Sequence, residues 1–492
     1  MGDTLTLDHD LTATWTTTVK NPFLRRGFRC GEWLPEPVTP LFETWYLPQQ
    51  DAGFAAIQRE AMGGGMDAPF HAVVNGWYYA GIGTPGASAM LGALRHPLYT
   101  ARWMRAFKAT GVDPFPGERV MGDPAVELHR STIRPRYVAA VAAAERAVAE
   151  GTTASVLASV DEVARASGGV MLSIADGAGF AWKAEAALVR FCHEHLDLDA
   201  RGAYQDLVVG LAPPSSLAAH AVTNLDWSHP TAGESGRTAV VDPATVAALT
   251  ERRSTRETAC RAALSDRPAL LARFERLLAL AQRYAPIREE IVGDLTLGWP
   301  VMRAALRRLG DELVAAGPVD APDDVFWLRR DEIDDVAVDR RPVVAERRAA
   351  WARQRELDPP DWVGKPSKAY AKRRAAFGLA SAPEVDDALL TGIPASPGSA
   401  TGPVRIVRSP AEFDSVEPGD VLVTRMTAPA WTSLFAVVAA VVTDEGDVAA
   451  HASLVAREFG IPAVVGTRTA TADLRDGQVV VVDGSAGVVT PA

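Results

Sequence analysis

The sequence predicts a multidomain α+β protein, in which a largely helical N-terminal and middle domain is followed by a small α/β domain. Three observations carry that prediction. The 492 residues exceed one typical core, so two or three domains are expected. From about residue 134 to 378, apolar residues recur at helical spacing over long stretches. Near the C-terminus a Val-rich run through Val438, Val441 and Val442 breaks at a polar, Gly-containing turn. A short amphipathic pattern follows and stops at Gly460, with Pro462 beyond it. That order reads as strand, loop, helix, strand.

Composition narrows the class. A 48% hydrophobic and 23% charged content is that of an ordinary globular protein. The net charge of −11 argues against general binding to nucleic acid or to an anionic membrane surface. Cys30, Cys192 and Cys260 are odd in number and widely spaced, which gives neither a disulfide framework nor zinc spacing. The polar, Thr-rich start from Met1 to Lys20 lacks a leader pattern, and no apolar run reaches the length of a membrane span. A cytoplasmic location is expected. Met1 to Thr6 formally fits a myristoylation pattern, but the Ala- and Arg-heavy composition looks bacterial and argues against it.

In chain order, residues from about 20 to 130 are rich in Pro, Gly and aromatics and predict short, irregular elements. The stretch from Gly31 to Leu41 holds three prolines and reads as a rigid extended loop. Gly63 to Gly65 lacks the Lys-Ser/Thr of a phosphate-binding loop and reads as flexible loop. Helical pattern begins at about 134, through Val138, Val141 and Val148, then Val160 and Val163. His193 and His195 point away from each other on a helix, so they read as solvated face rather than metal ligands. A second break, from 213 to 236, carries His220, Asn224, Asp226, Trp227 and His229, and either lines a pocket or merely connects. Long helices are expected over about 243–285, 300–316 and 340–378.

Two residues stand out from these patterns. Leu270, Phe274, Leu277, Ala281, Tyr284, Arg288 and Ile291 share one helical stripe, so Arg288 occupies an apolar position. It is either one half of a buried ion pair or an anion-binding guanidinium facing a cleft. His451 falls in the first turn of the C-terminal helix, where partial positive charge disfavours imidazolium and favours a bound phosphoryl group.

A set of spaced motifs runs through the last hundred residues. They are Leu390 to Val407, with Ser396, Gly398 and Gly402; then Pro418-Gly419-Asp420; then Thr427 to Phe435, with Pro429 and Trp431. The series continues with Thr443-Asp444-Glu445-Gly446, His451, Arg457 and Gly460, and closes at Asp476-Gly477 and Asp483-Gly484. This segment resembles the swivelling phosphohistidine domain of the phosphoenolpyruvate-utilising enzyme superfamily, which includes phosphoenolpyruvate synthase, pyruvate phosphate dikinase and rifampin phosphotransferase. Gly31 to Leu41, Asn75-Gly76-Trp77-Tyr78, and Arg288-Glu289-Glu290 with Gly310, Gly317 and Pro322 to Leu328 are similar, less tightly, to the acceptor-substrate domain of rifampin phosphotransferase-like proteins.

The resemblance implies a domain plan: an acceptor-substrate-like, mostly helical domain over 1–377, a hinge over 378–389, and the swivelling domain over 390–492. It implies a phosphotransferase component that carries a phosphoryl group on His451. Arg288 would assist transfer, while Thr443, Gly446 and Asp447 would form the phosphoryl loop. On motif position, Glu32, Thr39, His71 and Asn75 are the candidate substrate-binding residues, and no metal is expected. A Lys one turn after the Arg is common in the family, and here that place is Val292.

No Gly-rich nucleotide loop with attendant Lys and paired acidic ligands is visible, and the sequence starts almost directly at the acceptor-like part. ATP and Mg²⁺ are therefore expected to be used by a separate ATP-grasp protein that phosphorylates His451 in trans. The acceptor is expected to be a small-molecule hydroxyl or carboxyl, the aromatics at 33, 45, 77, 78, 79 and 227 suggesting an aromatic ligand, and in one variant transfer activates it for a further reaction. The family usually shows a second Gly and a hydroxyl residue before the His, where this chain has Asp447 and Ala450. Those departures keep open the alternative of a non-phosphorylated binding or regulatory module.

Overall fold

The computed structural model describes residues 15, 23–26, 33–62, 71–81, 113–196, 206–211, 218–236, 243–357, 359–360, 362–364, 388–408, 410–427, 431–446 and 450–492. Its first part is a helical assembly. Helix α1 spans Leu47–Met62, and a continuous helical run over 115–150 ends in α2, Arg134–Glu150. A second run over 153–195 contains α3, Thr153–Ser173, and α4, Gly179–His195. Then come α5, Pro243–Ala263, α6, Pro268–Asp294, α7, Trp299–Ala316, and α8, Arg341–Arg355. Among these described helices none is long and apolar enough to cross a membrane.

Local chemistry sets the boundaries. The Thr152 side chain caps α3 by accepting from the Ser155 amide. Pro268, Pro300 and Pro342 sit in the first turns of α6, α7 and α8, where a missing N–H costs nothing. Gly317 ends α7 in the left-handed conformation. Trp45, Tyr46, Tyr137, Phe180, Trp227, Tyr284 and Trp299 fill the core where these helices meet.

Three sequence expectations change. The region before 130 is more helical than its composition suggests. The α1 helix packs on α3 through small residues, so it shows no broad apolar stripe: a Cβ on Gly168 would lie 2.2 Å from the Gln50 carbonyl oxygen. The expected helix over 243–285 is two, because Pro268 forces Arg267 out of helical geometry (φ −124°, ψ 71°). Pro286, by contrast, sits inside α6 without ending it. The helix expected to 378 stops at Arg355, and residues 365–387, which hold most of the expected hinge, lie outside the described residues.

A small antiparallel sheet flanks the helices, in the order β2 (His71–Val74), β3 (Trp77–Gly81), β1 (Phe23–Arg25), β4 (Trp362–Gly364). Asn75 and Gly76, both at positive φ (49° and 78°), form the two-residue turn between β2 and β3.

The C-terminal α/β domain is built on an eight-stranded sheet. Its strands are β5 (Leu390–Thr391), β6 (Ile393–Ser396), β7 (Ser399–Ile406), β8 (Val421–Thr424), β9 (Ala440–Thr443), β10 (Ala463–Val465), β11 (Val479–Asp483) and β12 (Val488–Pro491). Their spatial order is β5-β12-β11-β7-β8-β9-β10-β6, with β7 through β10 parallel neighbours at the centre. The central strands are buried on both faces, which is why they read as unbroken Val runs. On one face lie α9, Thr432–Phe435, and α10, His451–Phe459.

Candidate phosphohistidine site

His451 is the first residue of α10, directly after Ala450 in extended conformation (φ −64°, ψ 157°). The helix forms for the reasons visible in the sequence. Ala452, Val455 and Ala456 give a buried stripe against β9, β10 and α9, and Gly460 stops the helix at φ 68°. The imidazole is nearly buried, at 9% exposure. Its Nδ1 lies 2.9 Å from the Thr427 hydroxyl, and its Nε2 lies 3.4 Å from that of Thr432. The Phe435 ring meets it edge-on, with centroids 6.2 Å apart. Nδ1 thus faces the Thr427 hydroxyl and Nε2 the Thr432 hydroxyl.

The turn ahead of the helix is tightly specified. Thr443 is fully buried at the end of β9, and its hydroxyl donates to the Glu445 carbonyl at 2.6 Å. Gly446 has φ 125°, and a Cβ there would lie 3.3 Å from the Ala450 Cβ and 3.4 Å from the Val465 Cβ. Only glycine suits both the backbone and the space. Asp444 binds the Thr471 amide at 2.9 Å and the Thr471 hydroxyl. Asp447 lies outside the described residues.

The far half of α10 packs on the helical part. Arg457, 2% exposed, donates to the Ser453 carbonyl and lies 3.5 Å from Oε1 of Glu185 on α4. The other oxygen of Glu185 accepts from Arg288 of α6 at 2.8 Å, and Arg288 also bonds Glu289 at 3.2 Å. Arg288 therefore lies on the buried stripe of α6, as its spacing predicts, and joins the helix that carries His451 through one shared carboxylate. Burial pulls the Arg288 pKa down, but Glu185 and Glu289 outweigh it and hold the group above its ordinary value. Beside this cluster Glu458 sits near Glu289, with the Gly210 amide 3.3 Å away. Burial first, then the Glu289 charge, pushes its carboxyl up to about 7.

Three of the four motif-placed substrate candidates lie in the N-terminal part, outside the domain that holds His451. Thr39 is buried, and its amide (2.6 Å) and hydroxyl (3.0 Å) both donate to Asp226. His71 pairs with Asp51 at 2.9 Å and stacks on Tyr78. Asn75 makes the β2–β3 turn, and Glu32 lies outside the described residues. The 218–236 loop does line a cleft, with Ala221, Val222 and Leu225 facing Trp33, Val292 and Thr296. His220 reaches its rim, with Nδ1 3.0 Å from the Thr296 hydroxyl. Val292, the place of the family Lys, is thus part of an apolar wall one turn along α6 from Arg288. Among the described residues no group of His, Cys, Asp and Glu is arranged to hold a metal ion.

Sequence reasoning missed Glu185, Thr427 as the partner of Nδ1, and Thr432. Glu185 gave one faint signal, a carboxylate on the buried face of α4 among Ala181, Ala184 and Leu188.

A family model matches the same domain. Residues 416–487 match the family model described as PEP-utilising enzyme, mobile domain. An uncharacterized phosphotransferase of Bacillus subtilis is 42% identical over 197 residues, which is 38% of this chain and 23% of that protein. A phosphoenolpyruvate synthase of Aeropyrum pernix is 44% identical over 149 residues, 28% of this chain and 18% of the relative. A rifampicin phosphotransferase of Streptomyces sviceus is 35% identical over 199 residues, 40% of this chain and 22% of the relative. The matched stretch spans less than a quarter of each of these three relatives.

Proposed function

We propose that the protein is a phosphotransferase component carrying a phosphoryl group on His451, on the strength of a C-terminal domain that matches the mobile-domain model of PEP-utilising enzymes over residues 416–487. The observation that carries the proposal is His451 at the first position of α10, with the Thr427 hydroxyl 2.9 Å from Nδ1. With the proton on Nδ1 donated to the Thr427 hydroxyl, the Nε2 lone pair is the nucleophile. It attacks phosphorus, the bond from phosphorus to the donor's leaving oxygen breaks, and the helix N-terminus offsets the charge of the phosphoryl group. At delivery an acceptor oxygen attacks that phosphorus, the N–P bond breaks, and the electron pair returns to Nε2. The acceptor's proton passes to a base, for which His220 at the rim of the apolar cleft is the candidate; burial holds its pKa below the ordinary value, so it is neutral at pH 7.

The donor in this proposal is a separate ATP-grasp protein using ATP and Mg²⁺, and the acceptor is a small molecule with a hydroxyl or carboxyl, in the cytoplasm. Relatives named as phosphotransferases support the reaction class. The helical part through 377 serves as acceptor domain and 378–389 as hinge. Thr39, His71 and Asn75 act there as scaffold, given the partners and turn that occupy them.

Intact-mass analysis after mixing with ATP, Mg²⁺ and an ATP-grasp protein encoded beside this chain tests the reading. One acid-labile phosphate on the wild type, lost in His451→Ala, is the expected result. No adduct with any such donor would leave the alternative, a binding or regulatory module that is not phosphorylated.

A further inference from the structure

We propose that Glu185 is the latch that docks the mobile domain, a carboxylate shared by an arginine from each side of the interface. On the helical side Arg288 takes one oxygen at 2.8 Å; from the mobile domain Arg457 approaches the other at 3.5 Å. Glu185, Arg288 and Arg457 are 5%, 6% and 2% exposed, so the cluster is desolvated as a unit.

Charge bookkeeping explains why it can open and close. Arg288 has two carboxylates, Glu185 and Glu289, and its contacts to both lie on the helical side. Docking adds the Arg457 guanidinium to Glu185 and sets the Glu458 carboxyl beside Glu289. Undocking leaves Arg288 still paired with both carboxylates, so the helical side stays intact, while Arg457 returns to water. The contact is therefore reversible without stranding a buried charge, which is what a moving domain requires. Arg457 is also fixed in place before contact, because its Nε donates to the Ser453 carbonyl one turn back on its own helix at 2.8 Å. Less side-chain freedom is then lost on docking. Since His451 is on the same nine-residue helix, the latch sets where the imidazole stands relative to α6.

The purpose assigned to the latch rests on the carrier reading, but its test does not. Spin labels at Glu251→Cys on α5 and Asp473→Cys in the mobile domain report the separation of the two parts without any phosphorylation. The unmodified labelled protein should give a short distance population, and Glu185→Gln should lower the docked-to-undocked ratio about tenfold. Arg457→Gln should do the same, and the double variant should add little to either, because one contact has been removed twice. Unchanged distances in both single variants, or fully additive effects, would overturn the latch. Thermal unfolding of Glu185→Gln distinguishes undocking from collapse: a shifted distance with melting of the helical part preserved supports the latch, whereas loss of that melting transition overturns it. If these distances shift while no phosphate adduct ever forms, the latch stands and the carrier reading fails.

Discussion

Replacing Thr427 by Val tests which nitrogen of His451 is the nucleophile. The two side chains are nearly isosteric, so no cavity opens, and the change removes one hydroxyl. That hydroxyl lies 2.9 Å from Nδ1 in a site where Thr427 is 2% and His451 9% exposed. Leaving a buried ring N–H without its acceptor costs about 1–3 kcal/mol. The ring can recover part of that by moving its proton to Nε2, toward Thr432 at 3.4 Å, but this blocks the lone pair that must attack phosphorus. Either route lowers the population of competent imidazole about tenfold or more, since about 1.4 kcal/mol is a factor of ten. Ring ¹⁵N shifts in a long-range correlation spectrum read the tautomer directly. The wild type should show a protonated Nδ1 and a bare Nε2; Thr427→Val should gain the Nε2-protonated form and be phosphorylated about ten times more slowly. Thr432→Val should change both much less. A wild-type ring protonated at Nε2, or unchanged spectra and rate in Thr427→Val, would refute the assignment.

Two further predictions concern pH. The Glu458 carboxyl is raised from an ordinary 4.5 to about 7 by burial first and then by Glu289, with the Gly210 amide, Arg457 and Arg288 opposing the rise and Arg253 packed beside Gly210. A raised carboxyl favours the docked form below its ordinary pKa, and that preference fades as pH climbs through 7. The docked fraction should fall from pH 5 to 8, while Glu458→Gln stays docked across the range; a fraction rising with pH in the wild type would contradict this. Asp176, raised from 3.8 to about 6 by burial against an opposing Lys183, costs stability once ionised. Asp176→Asn should raise the melting temperature at pH 7 and lose that advantage near pH 4, with a gain bounded at about 3 kcal/mol. An equal gain at both pH values would rule out ionisation as its cause.

Much of the site was legible because it is local. A Val run, a Gly at positive φ, a His and a second Gly at the helix stop are neighbours in sequence, and each has a one-residue physical reason. The buried stripe of α6 was legible too, down to Arg288, because helical periodicity survives Pro286. The early helices were hidden for the opposite reason. Small residues such as Gly53 and Gly168 make backbone contacts in place of a side-chain stripe, so periodicity carries little signal there. Motif position singled out Thr39 and His71, but their carboxylate partners Asp226 and Asp51 are distant or unpatterned in sequence and became visible only in the fold.

Arg288 shows why the two readings of a buried arginine need not compete. The stripe predicted either an ion pair or an anion site, and the structure holds the guanidinium between Glu185 and Glu289. A guanidinium presents five donors and accepts a phosphoryl group with the same fork it offers a carboxylate. Glu185 is bound on its other side by Arg457, so it keeps a cationic partner if Arg288 turns toward phosphate. That exchange would cost the helical side little, because the carboxylate released by one arginine is still held by the other. A carboxylate held between two arginines, one on α6 and one on α10, thus ties the buried stripe of α6 to the helix that carries His451.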